Sequence, residues 1–443
     1  MNKQKLLWIG DAAVPSGFAR VTHGILDQLC QSWDVHVLGV NYQGDPHKFP
    51  YPIYPAQRVW DLQNGGDQLG VSRLVGLVRE IRPNVIVVLN DAWNVAGLLE
   101  YARKNEIKLP PVVAYIPVDS ENMRDDVAKD LHGLATAVFY TEFGLDQARR
   151  SGYHGPAEVI PHGVDLERYQ PIDRTVARSQ TGLDAILRPD CFLIGNVNRN
   201  QPRKRLDLTM GAFAKWIHTY DVPENVQLYF HCNWRDEGWD LGQLARHFGL
   251  QGRVILPRWN PGDEPAEEHM AAVYSSLDLQ ISTTDGEGWG LTTMEGMSCG
   301  VPQVVPDFAA LGEWAAPAAA LIHCDHWSSK IGRINTIGRT PSETHLIHTV
   351  DHLYRSRHER ETMTRKGLAL VGRPEFRWES IARRFEEVLH AIGKHQAPRE
   401  FIERSGRPQP ATGRDAEGTP ARIEPAAPRS TAGIEDRNPA CAV

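Results

Sequence analysis

Short runs of apolar residues recur along this chain, each followed by a stretch long enough for one amphipathic helix. In the first half they are Leu6–Gly10, Val35–Val40, Val85–Leu89, Val112–Ile116, Ala137–Tyr140 and Glu158–Pro161. A run that is short and continuously apolar reads as a strand buried on both faces, which is the habit of parallel sheets. Parallel strands need a crossover between them. Phe18, Val21, Thr22, Ile25 and Leu29 recur at helical spacing and supply the first one. The pattern breaks after Asp165, where Leu166 to Pro189 is polar and reads as a linker with a short helix. It then restarts with Phe192–Val197, Val226–His231, Arg253–Leu256, Leu279–Ser282, Gln303–Val305 and Leu321–His323. The expected fold is α/β, with two tandem Rossmann-like doubly wound domains. A chain of 443 residues has room for both, at roughly 150 residues per domain.

The division expected from this pattern is 1–170 for the first domain, 171–374 for the second and 375–394 for one more helix. That helix carries Trp378, Ile381, Phe385, Val388 and Leu389 on one face. From 395 to 443 apolar periodicity vanishes and Pro, Arg, Ala, Gly and Thr dominate, so the tail reads as disordered. The formal net charge of −7 gives no ground for a surface that coats nucleic acid. The N-terminal apolar run Leu6–Ile9 is too short for a signal peptide or membrane span, and no later stretch is long enough to cross a bilayer. The cysteines at 30, 191, 232, 299, 324 and 441 have no paired spacing, which argues against a disulfide framework or zinc ribbon. A cytoplasmic location is the expectation.

Chemistry concentrates in two loops. Asp285, Gly286, Glu287, Gly288, Trp289 and Gly290 follow an expected strand, and a helix begins at Leu291 with Gly300 placed to end it. A glycine-rich loop admits a ligand to backbone amides, and a helix N-terminus favours phosphate. Ligands of open α/β sheets sit beyond the strand C-termini. With a diphosphate there, Glu287 faces whatever is attached beyond the phosphates. Glu295, about one turn into the helix, has two acceptor oxygens suited to a ribose diol. A nucleotide diphosphate sugar satisfies both. The glycines fit neither G-x-G-x-x-G nor a P-loop. The second loop, 195–204, reads GNVNRNQPRK, and its Arg199 and Lys204 offer two cations to a departing diphosphate. No Asp-x-Asp tripeptide occurs, so no metal site is expected. Taken alone, a glutamate pair and a basic loop are ordinary surface features; together on successive sheet edges they make a site.

The stretch from Glu287 to Glu295, followed by Gly296, Met297, Ser298, Gly300, Val301 and Pro302, resembles the Glu-x7-Glu signature of retaining glycosyltransferases with the two-Rossmann GT-B fold. The resemblance is to the large fourth family, which includes many bacterial mannosyl-, glucosyl- and N-acetylglucosaminyltransferases. Arg199 and Lys204 match its diphosphate pair, Pro161-His162-Gly163-Val164-Asp165 resembles its Pro-Asn-Gly-Val-Asp turn, and Pro15-Ser16-Gly17 resembles its first glycine loop. Phe376 to Ala382 resembles its final helix, which returns to the N-terminal domain. The resemblance implies that the domains face each other across a cleft. It implies that Arg199 and Lys204 bind the diphosphate, Glu287 the sugar hydroxyls and Glu295 the ribose. Gly288, Trp289, Gly290 and Leu291 would supply backbone amides, with Gly17 near the phosphates from the opposite side. Arg258 and Trp259 stand where the family cradles the nucleobase.

Trp289 replaces the family's commoner Phe, and Gly296 its commoner Ala. The His that many members carry after the fourth N-terminal strand is missing, and Asp119 is the candidate in its place, the alternative being a helix cap or loop residue. The implied activity is retaining hexosyl transfer from a UDP-, GDP- or ADP-sugar, with no cofactor or metal, by a front-face route. The acceptor stays open: a saccharide, a lipid-linked saccharide, a small molecule, a protein or modified nucleic acid. Two other readings keep the fold, a nucleotide-sugar-binding protein without catalysis and a sugar-nucleotide epimerase. Trp93, Trp234 and Trp239 suit sugar stacking but are as readily packing residues. His323, Asp325 and His326, and the pair His348 and His352, offer too few ligands for a metal. Arg20, His23 and Arg124 read as helix-surface charge. His162 stands between a hinge role and substrate contact.

Overall fold

The computed structural model describes residues 3–14, 16–42, 44, 46–57, 67, 69–233, 236–257, 267–330 and 334–395. Strands β1 (Lys5–Asp11), β2 (Asp34–Val40), β3 (Ile53–Pro55), β4 (Val85–Leu89), β5 (Val112–Ile116), β6 (Thr136–Phe139) and β7 (Ala157–Val159) form one sheet. Their order is β3-β2-β1-β4-β5-β6-β7, with all pairs parallel. The second sheet holds β8 (Phe192–Asn196), β9 (Val226–Phe230), β10 (Val254–Ile255), β11 (Leu279–Ile281), β12 (Gln303–Pro306) and β13 (Ala320–Ile322) in the order β10-β9-β8-β11-β12-β13. Both are doubly wound. In each, the strand order reverses direction at one point, between β1 and β4 and between β8 and β11. At such a point the flanking loops part and leave a crevice.

Most of the apolar runs are buried as expected, and β4 and β5 are covered on both faces along their whole length; the edge strands β7 and β10 are only half-buried or exposed. The linker region carries the short helix Arg174–Gln180. Two elements lie outside the expectation from sequence. One is the edge strand β3. The other is an antiparallel hairpin of β14 (His326–Lys330) and β15 (Thr336–Thr340), which joins neither large sheet. Its residues are largely polar, and it has no core of its own to announce it.

The final helix, Trp378–His395, lies against the first, Gly17–Leu29. Ile381, Phe385 and Leu389 enter the core with Trp8, Val21 and Ile25 of the first sheet's layer. Each such side chain stabilises the fold by about 1.5–3 kcal/mol. Trp378 fits a slot with no room to spare: a Cβ at Gly24 would lie 2.5 Å from its ring, and one at Gly163 2.7 Å. Arg384 adds a hydrogen bond to the Val159 carbonyl. The same apolar cluster runs on to Trp289, Met294 and Trp314 beside the second sheet, so one core spans both halves. Among the described residues no helix is long and apolar enough to cross a membrane.

The Trp378 slot gives a direct test. In an isolated helix, replacing a glycine gains helix propensity, up to about 1 kcal/mol. Here the added atoms meet a rigid indole, and overpacking costs about 1–3 kcal/mol. Gly24→Val should therefore lower the melting temperature; a rise would mean that the final helix does not depend on this contact.

Candidate active site

The loops after β8 and β11 meet at the second sheet's crevice, and side-chain hydrogen bonds fix their shapes. Asn196 Nδ2 donates to Thr209 Oγ1 at 2.9 Å, Asn198 Nδ2 to Asn196 Oδ1 at 2.9 Å and Asn200 Nδ2 to the Trp239 carbonyl at 2.7 Å. The asparagine-rich sequence thus rules the β8 loop from within. The β11 loop is tied to it by Thr283 Oγ1 on the Arg205 carbonyl at 2.7 Å and by the Asp285 amide on the Arg203 carbonyl at 2.8 Å.

This framework sets Lys204 Nζ directly on Glu287 Oε1. Arg203 Nη1 reaches the other oxygen of Glu287 at 3.2 Å and the Gly286 carbonyl at 3.0 Å. Burial alone raises the Glu287 carboxyl, but Lys204 and Arg203 outweigh it and hold it at about 2. Lys204 is drawn down to about 8, by burial first and by Arg203 second, against the pull of Glu287. Sequence reasoning passed over Arg203, although it stands next to Lys204. The residue singled out instead, Arg199, is turned to Asp236 at 2.6 Å and Glu237 at 3.1 Å, with 58% of its side chain exposed. The structure does not bring it onto Glu287.

Glu295 is buried and approached by two protein donors. Arg20 Nη1, from the first helix of the opposite half, pairs with Oε1, and the Tyr274 hydroxyl donates to Oε2 at 2.5 Å. Burial raises its pKa, with Arg20 opposing. Arg20 is thus an interdomain ion-pair partner rather than helix-surface charge. Gly296 has a clear reason: a Cβ there would lie 2.4 Å from Gln280 Oε1 and 2.5 Å from Gln303 Nε2, two buried amides in contact with each other. Trp289 points into the core, stacked on Trp314 at 5.1 Å, while Trp314 Nε1 donates to its carbonyl at 2.7 Å. Gly290 takes φ +92° and starts the helix Leu291–Ser298, which Gly300 at φ +76° ends.

The opposite wall is the C-terminal edge of the first sheet. A Cβ on Gly286 would sit 1.8 Å from the Asp119 carbonyl oxygen, one on Gly288 2.7 Å from Pro117 and one on Gly17 3.4 Å from Leu291. The glycine loop 285–290 is therefore pressed against the first domain. Asp119 Oδ1 lies 2.8 Å from Lys330 Nζ on the hairpin and accepts from Ser120 Oγ at 2.8 Å. Burial works to raise the Asp119 pKa, but Lys330 and Arg203 prevail and lower it. Glu121 exchanges backbone hydrogen bonds with Ile337 at 2.8 and 2.9 Å, and its carboxylate binds Arg339 at 2.8 Å. His162 is buried, bonded through Nδ1 to the Tyr115 hydroxyl at 2.7 Å and packed beside Trp289; burial lowers its pKa to about 3, so the ring is neutral. Pro15, Trp234, Arg258, Trp259 and the tail 396–443 lie outside the described residues. Among the described residues no group of three or more His, Cys, Asp or Glu is arranged to hold a metal ion.

Two doubly wound units that face each other over a glycine loop and a helix N-terminus define the GT-B class. Residues 188–328 match the family model described as glycosyl transferases group 1. The match falls on the second sheet, and the chain has the GT-B fold. The D-inositol 3-phosphate glycosyltransferase of Rhodococcus erythropolis is 31% identical over 194 residues, which cover 42% of this chain and 38% of that protein. The chain spans less than half the length of the curated relatives it matches. Among solved structures, sucrose-phosphate synthase from Thermosynechococcus elongatus aligns with a TM-score of 0.66 at 15% identity, over 89% of this chain and all of that one. Anabaena HepE, in complex with UDP and glucose, aligns with a TM-score of 0.64 at 16% identity, over 88% of this chain and all of that one. At these identities the likeness is one of fold.

The pressed contact at Gly286 can be tested without any assay of activity. Gly286→Ala should destabilise the closed arrangement by about 1–3 kcal/mol and raise the radius of gyration in small-angle scattering, with the circular dichroism unchanged. An unchanged radius would show that the two halves do not close through this contact.

Proposed function

We propose that the protein is a retaining glycosyltransferase that moves a hexosyl group from a nucleotide diphosphate sugar to an acceptor hydroxyl. The observation that carries the reading is the meeting of Lys204, Arg203 and Glu287 beside the N-terminus of the helix Leu291–Ser298, at the crevice of the second sheet. Lys204 and Arg199 take the diphosphate, the latter leaving Asp236 and Glu237 to do so; its exposed side chain is free to swing. Gly288, Trp289, Gly290 and Leu291 bring backbone amides, and Gly17 leaves space for the phosphates from the other side. Glu287, held ionised by Arg203, accepts hydrogen bonds from the sugar hydroxyls. Glu295 takes the ribose diol, with Arg20 shifting its hold. Arg258 and Trp259 cradle the base. The HepE complex with UDP and glucose supports a nucleotide-sugar donor.

In the reaction the bond from the anomeric carbon to the β-phosphate oxygen breaks, and the acceptor oxygen bonds to that carbon on the same face. The acceptor's proton passes to the departing phosphate oxygen. The chain's residues hold the partners in line and stabilise the charge on the diphosphate, which asks for no metal. Closure of the two halves keeps water out. We place the reaction in the cytoplasm, a reading supported by free thiols at all five described cysteines.

Thermal-shift screening against UDP-, GDP- and ADP-sugars names the donor, since specific binding raises apparent stability by mass action. Proton NMR of the product then reads the anomeric configuration; inversion would overturn the retaining assignment. Lys204→Ala should lower turnover by ~10²–10³, as loss of a charge-stabilising donor does. For the free enzyme, kcat/KM for the donor should fall as pH rises through about 8, where Lys204 gives up its proton. Lys204→Arg should abolish that limb. A limb that persists in the Arg variant belongs to another group.

A further inference from the structure

Beside the first sheet's crevice, a hollow opens between the loops after β4 and β5, next to the glycine loop 285–290. A small pocket there, open to solvent, is lined by Asp91, Trp93, Asp119, Ser120, Arg124 and Thr336, among others. Thr336 comes from the hairpin, so both halves build the pocket. Charge around it is unevenly settled. Asp119 is paired with Lys330, Arg203 with Glu287, Arg124 with Asp126 and Arg339 with Glu121. The Asp91 carboxylate accepts no hydrogen bond and has no ion pair among the described residues, and the buried Thr336 Oγ1 also lacks a partner. The pocket thus keeps unspent hydroxyl-binding groups and one carboxylate without a direct ion pair, while each of the four cations named already has a carboxylate partner. Trp93 adds an aromatic face.

Resting on the transferase reading above, we propose that this pocket seats the acceptor and takes an uncharged polyhydroxylated ring, turning away its phosphate ester. Asp91 and Thr336 bind ring hydroxyls and Trp93 receives the ring's C–H face. A phosphate finds no unengaged cation among those named and must either face the Asp91 carboxylate or force its protonation, whereas the hydroxyls of a neutral ring satisfy both orphan groups. Burial, with Asp119 adding and Arg203 and Lys330 opposing, pushes Asp91 up to about 7, so near neutrality it both donates to and accepts from a hydroxyl.

The test uses the full chain saturated with UDP, or with GDP or ADP where the screen above names that base, and two matched pairs of probes: methyl glucoside with glucose 6-phosphate, and inositol with inositol 3-phosphate. UDP affinity is measured first and tests the donor reading by itself. In at least one pair the uncharged member should bind about tenfold or more tightly than its phosphate, and which pair responds separates a saccharide terminus from a free cyclitol. Thr336→Val and Asp91→Asn should each weaken the uncharged probe by about tenfold while leaving UDP affinity unchanged. UDP bound with neither uncharged ring, a phosphate bound as tightly as its parent ring, or variants without effect on the ring would each overturn the acceptor assignment and leave the donor reading standing.

Discussion

Glu287 is the anion on which the charges of the cleft converge. Lys204 and Arg203 are both close to it, and Asp119 across the gap feels the same guanidinium. The arrangement is costly to build, because two ions leave water for every pair formed, and such a pair is weak evidence for stability. It persists at a glycine loop where a diphosphate would sit, which is where a reserve of positive charge has a use. Without Glu287, Lys204 would shed its proton rather than bear burial beside Arg203. The carboxylate therefore keeps the lysine charged near neutrality, and in the proposed reaction it would also face the donor's sugar.

Everything around that charge cluster serves to hold two sheet edges together. The core runs unbroken from the first domain through the final helix to Trp289 and Trp314. Polar links then lock the rim. Glu313 accepts the first amides of the helix Glu142–Arg150 at 3.0 and 2.8 Å, Arg20 meets Glu295, and the hairpin adds a backbone bridge at Glu121. The rim contacts are polar and few, so in the proposed reaction substrates could replace them one by one, whereas the tryptophan-lined core cannot be parted as cheaply. That division suits a cleft which opens at its mouth and stays joined at its base.

Much of this was legible in the sequence. β4 and β5 were bounded to the residue because their apolar runs end abruptly at polar or proline neighbours. The glycine loop and the helix from Leu291 followed from the residues that permit them. What could not be read was side-chain direction. Arg199, Arg203 and Lys204 sit in one loop, and only the turn at Pro202–Lys204 and the tie to Thr283 decide which cation faces Glu287. Arg20 looked like helix-surface charge, since its partner lies 275 positions away. The hairpin escaped because a polar two-stranded ribbon lacks the alternation that burial writes into a sequence, and its reason for existing lies in the opposite domain. The resemblance that placed Glu287 and Glu295 held no information about Asp91 or Thr336, whose meaning comes from the pocket they share.

The central claim is that the positive charge beside Glu287 is held for a diphosphate. A crystal structure of the chain with UDP bound tests it most directly. The terminal phosphate should lie within hydrogen-bond distance of Lys204 Nζ and the amides that open the helix Leu291–Ser298, with Arg199 turned away from Asp236. A nucleotide seated elsewhere, with Lys204 still closed on Glu287 and those amides facing solvent, would contradict it.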